Sequence, residues 1–145
     1  MKAFTSACKI RFSNTDAAGI TFFANVFTMA HDAYEDFVAS LGFSWPEWFD
    51  NKNWGVPIRQ SSCEYFRPLL PGKDCQIEVT IEKIGETSLG LHYRFLIDEI
   101  LCCEVRLTHA FVELKPVSGK LGKTPIPSKV RQRLEAYRAQ CLAAE

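Results

Sequence analysis

Over residues 25–41 apolar side chains take up so much of a helical circumference that the rest of the chain has to wrap around it. Val26, Ala30, Ala33, Phe37 and Leu41 recur at steps of three and four, the spacing of one buried helical stripe. At about 100° per residue, Phe27, Met29, Tyr34 and Val38 widen that stripe to roughly half the circumference. Thr28, Asp32, Glu35 and Asp36 hold what is left. A helix lying on a flat sheet buries a narrower strip, so this one is expected inside a curved surface. Asn25 is placed to cap its start and Gly42 to stop it.

The surrounding chain reads as β-sheet. Residues 6–13 alternate weakly and predict a first strand, followed by a loop over 14–24. The stretch Ser44-Trp45-Pro46-Glu47-Trp48-Phe49 predicts a loop with room for a short helix, and 56–114 is strand-like throughout. Cys75, Ile77, Val79 and Ile81 alternate strictly with Gln76, Glu78, Thr80 and Glu82, giving one buried and one wet face. Pro71-Gly72 before this run and Gly85-Glu86 after it are turn signals. Leu89, Leu91, Tyr93, Phe95 and Ile97 share one side of the next strand, and Asp98-Glu99 turns into a long strand over 100–114. Over 127–140 Val130, Leu134, Tyr137 and then Cys141 follow helical spacing. The order predicts an α+β fold: a strand, a long helix, four strands in antiparallel meander and a closing helix. At 145 residues the chain is expected to form one domain, 1–145.

Composition removes several function classes. Apolar residues make up 47% and charged residues 23%, a mixture that excludes an intrinsically disordered chain. Lys+Arg and Asp+Glu each number 17, so no global basic field favours nucleic acid or anionic lipid. No apolar h-region or membrane-length apolar run stands out, which predicts a cytoplasmic chain with no membrane contact. Cys8, Cys63, Cys75, Cys102, Cys103 and Cys141 form no C-x-x-C and read as small buried hydrophobes of a reducing compartment. There is no G-x-S-x-G, no H-E-x-x-H and no metal-ligand spacing. Gly122-Lys123-Thr124 imitates the end of a P-loop, but Val117 stands where such a loop needs Gly.

The chemistry is concentrated in Asn14-Thr15-Asp16-Ala17-Ala18-Gly19-Ile20-Thr21-Phe22-Phe23-Ala24-Asn25. An Asp sits in a loop of small residues, a Gly allows unusual backbone angles, and a helix begins directly after. That helix terminus offers unpaired N–H groups and the positive end of the dipole. A carboxylate opposite free amides suits acyl transfer, which needs a base or attacking group and donors for an oxyanion. The same Asp could instead do no more than close an Asx-turn.

Asp16-Ala17-Ala18-Gly19-Ile20-Thr21-Phe22-Phe23-Ala24-Asn25 resembles the D-x-x-G-[IV]-x-[FYW]-[FY]-x-N signature of hotdog-fold acyl-CoA thioesterases of the 4-hydroxybenzoyl-CoA thioesterase type. The order of strands and helices is similar to the hotdog topology over nearly the whole chain. The resemblance implies that Asp16 is the catalytic carboxylate, as nucleophile or general base, and that the backbone N–H of Phe23 polarises the thioester carbonyl. Met29-Ala30-His31-Asp32-Ala33-Tyr34-Glu35-Asp36-Phe37 is similar to the M-x-H-x-A-Y-E-x-[FW] of 1,4-dihydroxy-2-naphthoyl-CoA thioesterases. Ala24 stands where the Tol-Pal-associated branch has His, which argues against that branch.

The expected activity is therefore hydrolysis of an aryl-CoA thioester with water, no metal and no organic cofactor. Gly19, Phe22, His31 and Tyr34 are the expected substrate-binding residues, with His31 on the edge of the apolar arc. Glu35 raises the second hotdog subtype, in which a helix glutamate is the catalyst. The hairpin at Gly85-Glu86-Thr87 lacks the basic cluster that some relatives place on the CoA phosphates, leaving Lys83, Arg59 or Arg67 for that role. A sheet wrapped on one helix leaves an edge uncovered, and the family resemblance implies a homodimer or homotetramer with sites at subunit interfaces. A hotdog dehydratase and a non-catalytic acyl-CoA-binding module are the alternatives from other classes, beside a short- or medium-chain thioesterase.

Overall fold

In the computed structural model, which describes residues 3–114, 119 and 122–144, helix α1 (Asn25–Ser40) lies against the concave side of an antiparallel sheet. The arc read from the sequence is the arc that is buried: Val26, Met29, Ala30, Ala33, Tyr34, Phe37 and Val38 are all closed off from solvent. The sheet consists of β1 (Phe4–Lys9), β3 (Ile58–Tyr65), β4 (Asp74–Ile84), β5 (Ser88–Ile97) and β6 (Ile100–Ala110), in the order β1-β4-β5-β6-β3. This is the hotdog arrangement.

Register explains why the alternating positions matter. Ile77 lies opposite Phe95 and Phe95 opposite Cys103; Val79, Tyr93 and Val105 make a second row, and Ile81, Leu91 and Leu107 a third. Each row is apolar and buried, and together they form the wall that meets α1. On the other face the same strands carry charge. Arg94 pairs with Glu78 at 3.0 Å, and Arg106 pairs with Glu82 at 3.0 Å and with Glu104 at 3.6 Å. Period-two alternation thus separates core from solvent strand by strand.

Helix α3 (Ser128–Ala143) closes the β1 side with buried Val130, Leu134 and Tyr137. The Tyr137 ring packs 4.9 Å from Phe37, and its hydroxyl accepts from the Phe4 N–H at 2.8 Å while donating to the Val79 carbonyl. Phe4 and Val79 are register partners, so the phenol spans the end of the β1–β4 ladder.

Several boundaries differ from the sequence expectation, each for a local reason. The first strand covers 4–9, not 6–13, because Phe12–Asn14 folds into a 3-10 turn held by the Arg11 N–H on Asn14 Oδ1. Asn25 does not cap α1. Ala24 holds the cap position, and the Asn25 amide donates to the Asn14 carbonyl at 2.8 Å. The helix ends at Ser40, with Gly42 at φ +93° as the expected stop. The meander has three strands, β4 to β6. β3 crosses to the far edge beside β6, and residues 66–73 return across the mouth of the sheet. The expected strand over 100–114 breaks after Ala110, where the buried Phe111 turns its N–H to Thr87. β7 (Val112–Glu113) then pairs with β2 (Trp54–Gly55) in a separate ribbon. The short helix is α2 (Trp45–Phe49), capped by the Ser44 side chain. Of the six free cysteines, Cys75, Cys102 and Cys103 are buried, and Cys8, Cys63 and Cys141 are half-buried. Gly122 and Lys123 lie in an extended stretch bridged to Val112, and Val117 falls outside the described residues.

Two polar groups sit wholly inside the wall, the Tyr93 hydroxyl and the His109 ring. His109 on β6 is inaccessible and stacks on Tyr34 at 4.7 Å. Its Nδ1 is 3.2 Å from the Val56 carbonyl, which can only accept, so Nδ1 carries the proton and Nε2 is a bare acceptor with no partner among the described residues. Burial pushes its pKa from 6.5 down to about 4. The Val56 bond opposes that shift, and the charge of His31 adds to it. The unfolded chain takes up a proton near 6.5 that the folded chain refuses until about 4, so folding stability falls as pH drops through that window. This residue alone is expected to cost about 3 kcal/mol by the acid end. Urea midpoints measured from neutral to acid pH should decline steeply for the native chain and less for His109→Phe. Parallel declines would assign the acid loss to other groups.

Candidate active site

The loop before α1 is a closed ring of short hydrogen bonds. The Asp16 N–H donates to Ile20 O and the Gly19 N–H to Asp16 O, each at 3.0 Å, while Thr15 and Thr21 form an isolated bridge. Gly19 sits at φ +79°, a conformation that L side chains rarely adopt. The Asp16 carboxylate also accepts the Ala18 N–H on Oδ1 at 2.8 Å. The Asx-turn and the catalytic reading are therefore compatible: one oxygen shapes the loop, and Oδ2 bonds to nothing among the described residues. Asp16 is exposed.

Downstream, the Phe22 N–H donates to Asn14 O at 2.8 Å and the Asn25 N–H to Phe22 O at 2.9 Å. The N–H groups of Phe23 and Ala24 donate to no acceptor among the described residues. Two free amides thus lie at the positive end of α1, a few residues from a free carboxylate oxygen. The Phe23 ring is 64% exposed and packs edge-on against Phe22 at 4.7 Å.

Beside this terminus opens a largely apolar cavity of about 520 Å³, walled by Ile20, Thr21, Phe23, Val26, Tyr65, Leu69 and others, including Arg67. The return segment 66–73 builds one side of it and is tied to the loop by the Thr21 N–H and hydroxyl, both on Leu69 O at 3.0 Å. Sequence reasoning missed Tyr65 and Leu69, because their place depends on β3 crossing to the far edge. Pro71-Gly72 marked the turn without showing where the segment lies.

The other expected residues form a second cluster. His31 is exposed on α1, with its ring 5.3 Å from that of Tyr34. Tyr34 is buried, its hydroxyl accepting from Trp48 Nε1 at 2.5 Å, and burial raises its pKa well above that of a free phenol. Neither lines the cavity beside Phe23. Glu35 is exposed and accepts from Trp45 Nε1 at 2.7 Å. Of the basic candidates, Arg67 is on the cavity wall, whereas Arg59 and Lys83 are not.

Residues 10–134 match the family model of the thioesterase-like superfamily. The chain belongs to that superfamily. A 1,4-dihydroxy-2-naphthoyl-CoA hydrolase of Microcystis aeruginosa is 30% identical over 125 residues, covering 86% of this chain and 88% of that protein. One from Nostoc punctiforme is 29% identical over 143 residues, covering 99% and 94%. Among solved structures, the gentisyl-coenzyme A thioesterase BH1999 superposes with a TM-score of 0.80 at 27% identity, covering 90% of this chain and 99% of that one. For this thioesterase-like chain the matched residues include the loop, α1 and strands β3 to β6. No helix among the described residues is long and apolar enough to cross a membrane.

Proposed function

We propose that this chain is an acyl-CoA thioester hydrolase acting on an aryl-CoA, with 1,4-dihydroxy-2-naphthoyl-CoA as its substrate. The enzyme class rests on family membership and on relatives named as hydrolases and thioesterases of CoA thioesters. The observation that carries the site is the pair of unpaired amides at Phe23 and Ala24, with Phe23 on the wall of an apolar cavity, downstream in the same loop from the Asp16 oxygen that the Ala18 bond leaves free.

In this reading the thioester carbonyl points at the Phe23 N–H. Asp16 Oδ2 attacks the carbonyl carbon or takes a proton from water that attacks it. On either route the carbonyl oxygen becomes an anion, the C–S bond breaks, and CoA departs as a thiolate that takes up a proton; the nucleophilic route leaves a mixed anhydride on Asp16, which water cleaves to release the acid and restore the carboxylate. The amides at the helix terminus stabilise the anion because they are aimed before the charge appears. Water is the only co-reactant. Gly19 shapes the loop beside the carbonyl, Phe22 and Phe23 face the acyl group, and Arg67 is the basic residue nearest to receive CoA.

The exposed edge of β3 supports a homodimer. Its residues are exposed except Cys63, which is half-buried; Tyr65 and Phe66 are large apolar groups left uncovered beside Phe23, and Ile58 is left uncovered at the other end of the strand. A second copy would cover them and enclose the site.

A panel of aryl and straight-chain acyl-CoAs, followed with a thiol reagent, tests the activity. Hydroxylated naphthoyl-CoA should lead, and preference for a straight chain would favour the aliphatic reading that the apolar cavity wall also allows. Asp16→Asn keeps the acceptor for Ala18, so the loop should survive while turnover falls about 100-fold or more. Near-native turnover would remove Asp16 from the mechanism. Sedimentation at micromolar concentration should give a dimer or tetramer, whereas a fully active monomer would place the whole site within one chain. His31→Ala should lower kcat/KM about 10-fold for the hydroxylated aryl substrate and leave straight chains almost unchanged. Equal losses on both would assign His31 to the fold.

A further inference from the structure

Tyr65 ends β3 on the far edge of the sheet, 42 residues from Phe23, yet its hydroxyl lies 2.5 Å from the Phe23 carbonyl oxygen. That carbonyl has no partner within the helix. The first backbone bond of α1 runs from the Phe27 N–H to Ala24 O at 3.2 Å, one residue further on. A carbonyl oxygen can only accept, so the Tyr65 hydroxyl is the donor.

The peptide preceding the Phe23 Cα is fixed by the Asn25 N–H on Phe22 O, and the residue before it by the Phe22 N–H on Asn14 O. The peptide following the Phe23 Cα has Tyr65 as its only hydrogen-bond partner among the described residues. We propose that Tyr65 is a positioning residue: by holding the Phe23 carbonyl it fixes the second of the two peptide planes flanking this residue, and so keeps the Ala24 N–H aimed, beside that of Phe23, at the thioester oxygen. The proposal rests on the reading of those N–H groups as the oxyanion donors. Because a donor aimed in advance is worth far more than one that must reorient, a loosened loop should slow the chemical step more than it weakens binding.

The Tyr65 ring also lines the cavity, so ring and hydroxyl can be tested apart. Tyr65→Phe keeps the wall and removes the tether. It should lower kcat about 10-fold with KM within about twofold of native. Two unreactive CoA analogues give a second readout, a ketone with CH2 in place of sulfur and a thioether lacking the carbonyl. Tyr65→Phe should weaken the ketone by a factor similar to the loss in kcat and leave the thioether unchanged. Tyr65→Leu, which also removes the wall, should weaken both. Native kcat in Tyr65→Phe, or equal weakening of both analogues, would overturn the tether. Retained turnover in Asp16→Asn would instead overturn the underlying site, so the two failures are separable.

Discussion

Everything in this molecule follows from having one helix with half of its circumference apolar and one sheet to bury it. A single sheet can cover so wide an arc only by curling, and the curl is made by three strands whose apolar rows align across the register. A curled open sheet still has two edges. On the β1 side α3 lies alongside, and Tyr137 bridges the last register pair. Among the described residues the β3 side has no such cover, and it is the side beside which the helix terminus opens.

The same geometry makes the terminus chemically useful. Residues buried along α1 hold the helix axis against the wall, while the amides before Asn25 lie outside the helix and take their aim from the loop. The loop is tied from two directions: through Asn14 within the same segment and through Leu69 and Tyr65 from the return strand. Preorganised donors need this kind of anchoring, because a reacting group gains little from dipoles that must first turn toward it.

Periodicity carried most of the fold. The α1 arc, the β4 and β5 alternation and the α3 spacing all came from side chains repeating with the geometry of the element that bears them. What periodicity could not carry was pairing between distant segments. The place of β3 beside β6 depends on where residues 66–73 run, and no local pattern encodes a crossover. The Asn25 expectation failed for a related reason: an Asn before a helix is a good cap, yet here the Asn14 carbonyl offered its side chain a partner across the loop. At the site, the resemblance around Asp16 and Phe23 pointed to a loop beside which a cavity opens, whereas Tyr65 and Leu69 became visible only once the return segment was in place.

The separation of the two aromatic clusters bears on the size of the acyl group. His31 stands eight residues beyond Phe23, about 12 Å along α1 at helical rise. Helical side chains lean toward the N-terminus, which brings the imidazole part of the way back. A short acyl chain held with its carbonyl at the Phe23 amide ends well before that point. A single ring narrows the gap, and two fused rings carry a hydroxyl furthest toward it. His31 is exposed, so it can meet a ligand without leaving a buried donor unpaired when the site is empty. His109 and Tyr34 behind it are locked to Val56 and Trp48 and form a rigid floor. Because neither His31 nor Tyr34 lines the cavity beside Phe23, recognition by His31 requires an acyl group long enough to reach beyond that cavity along α1.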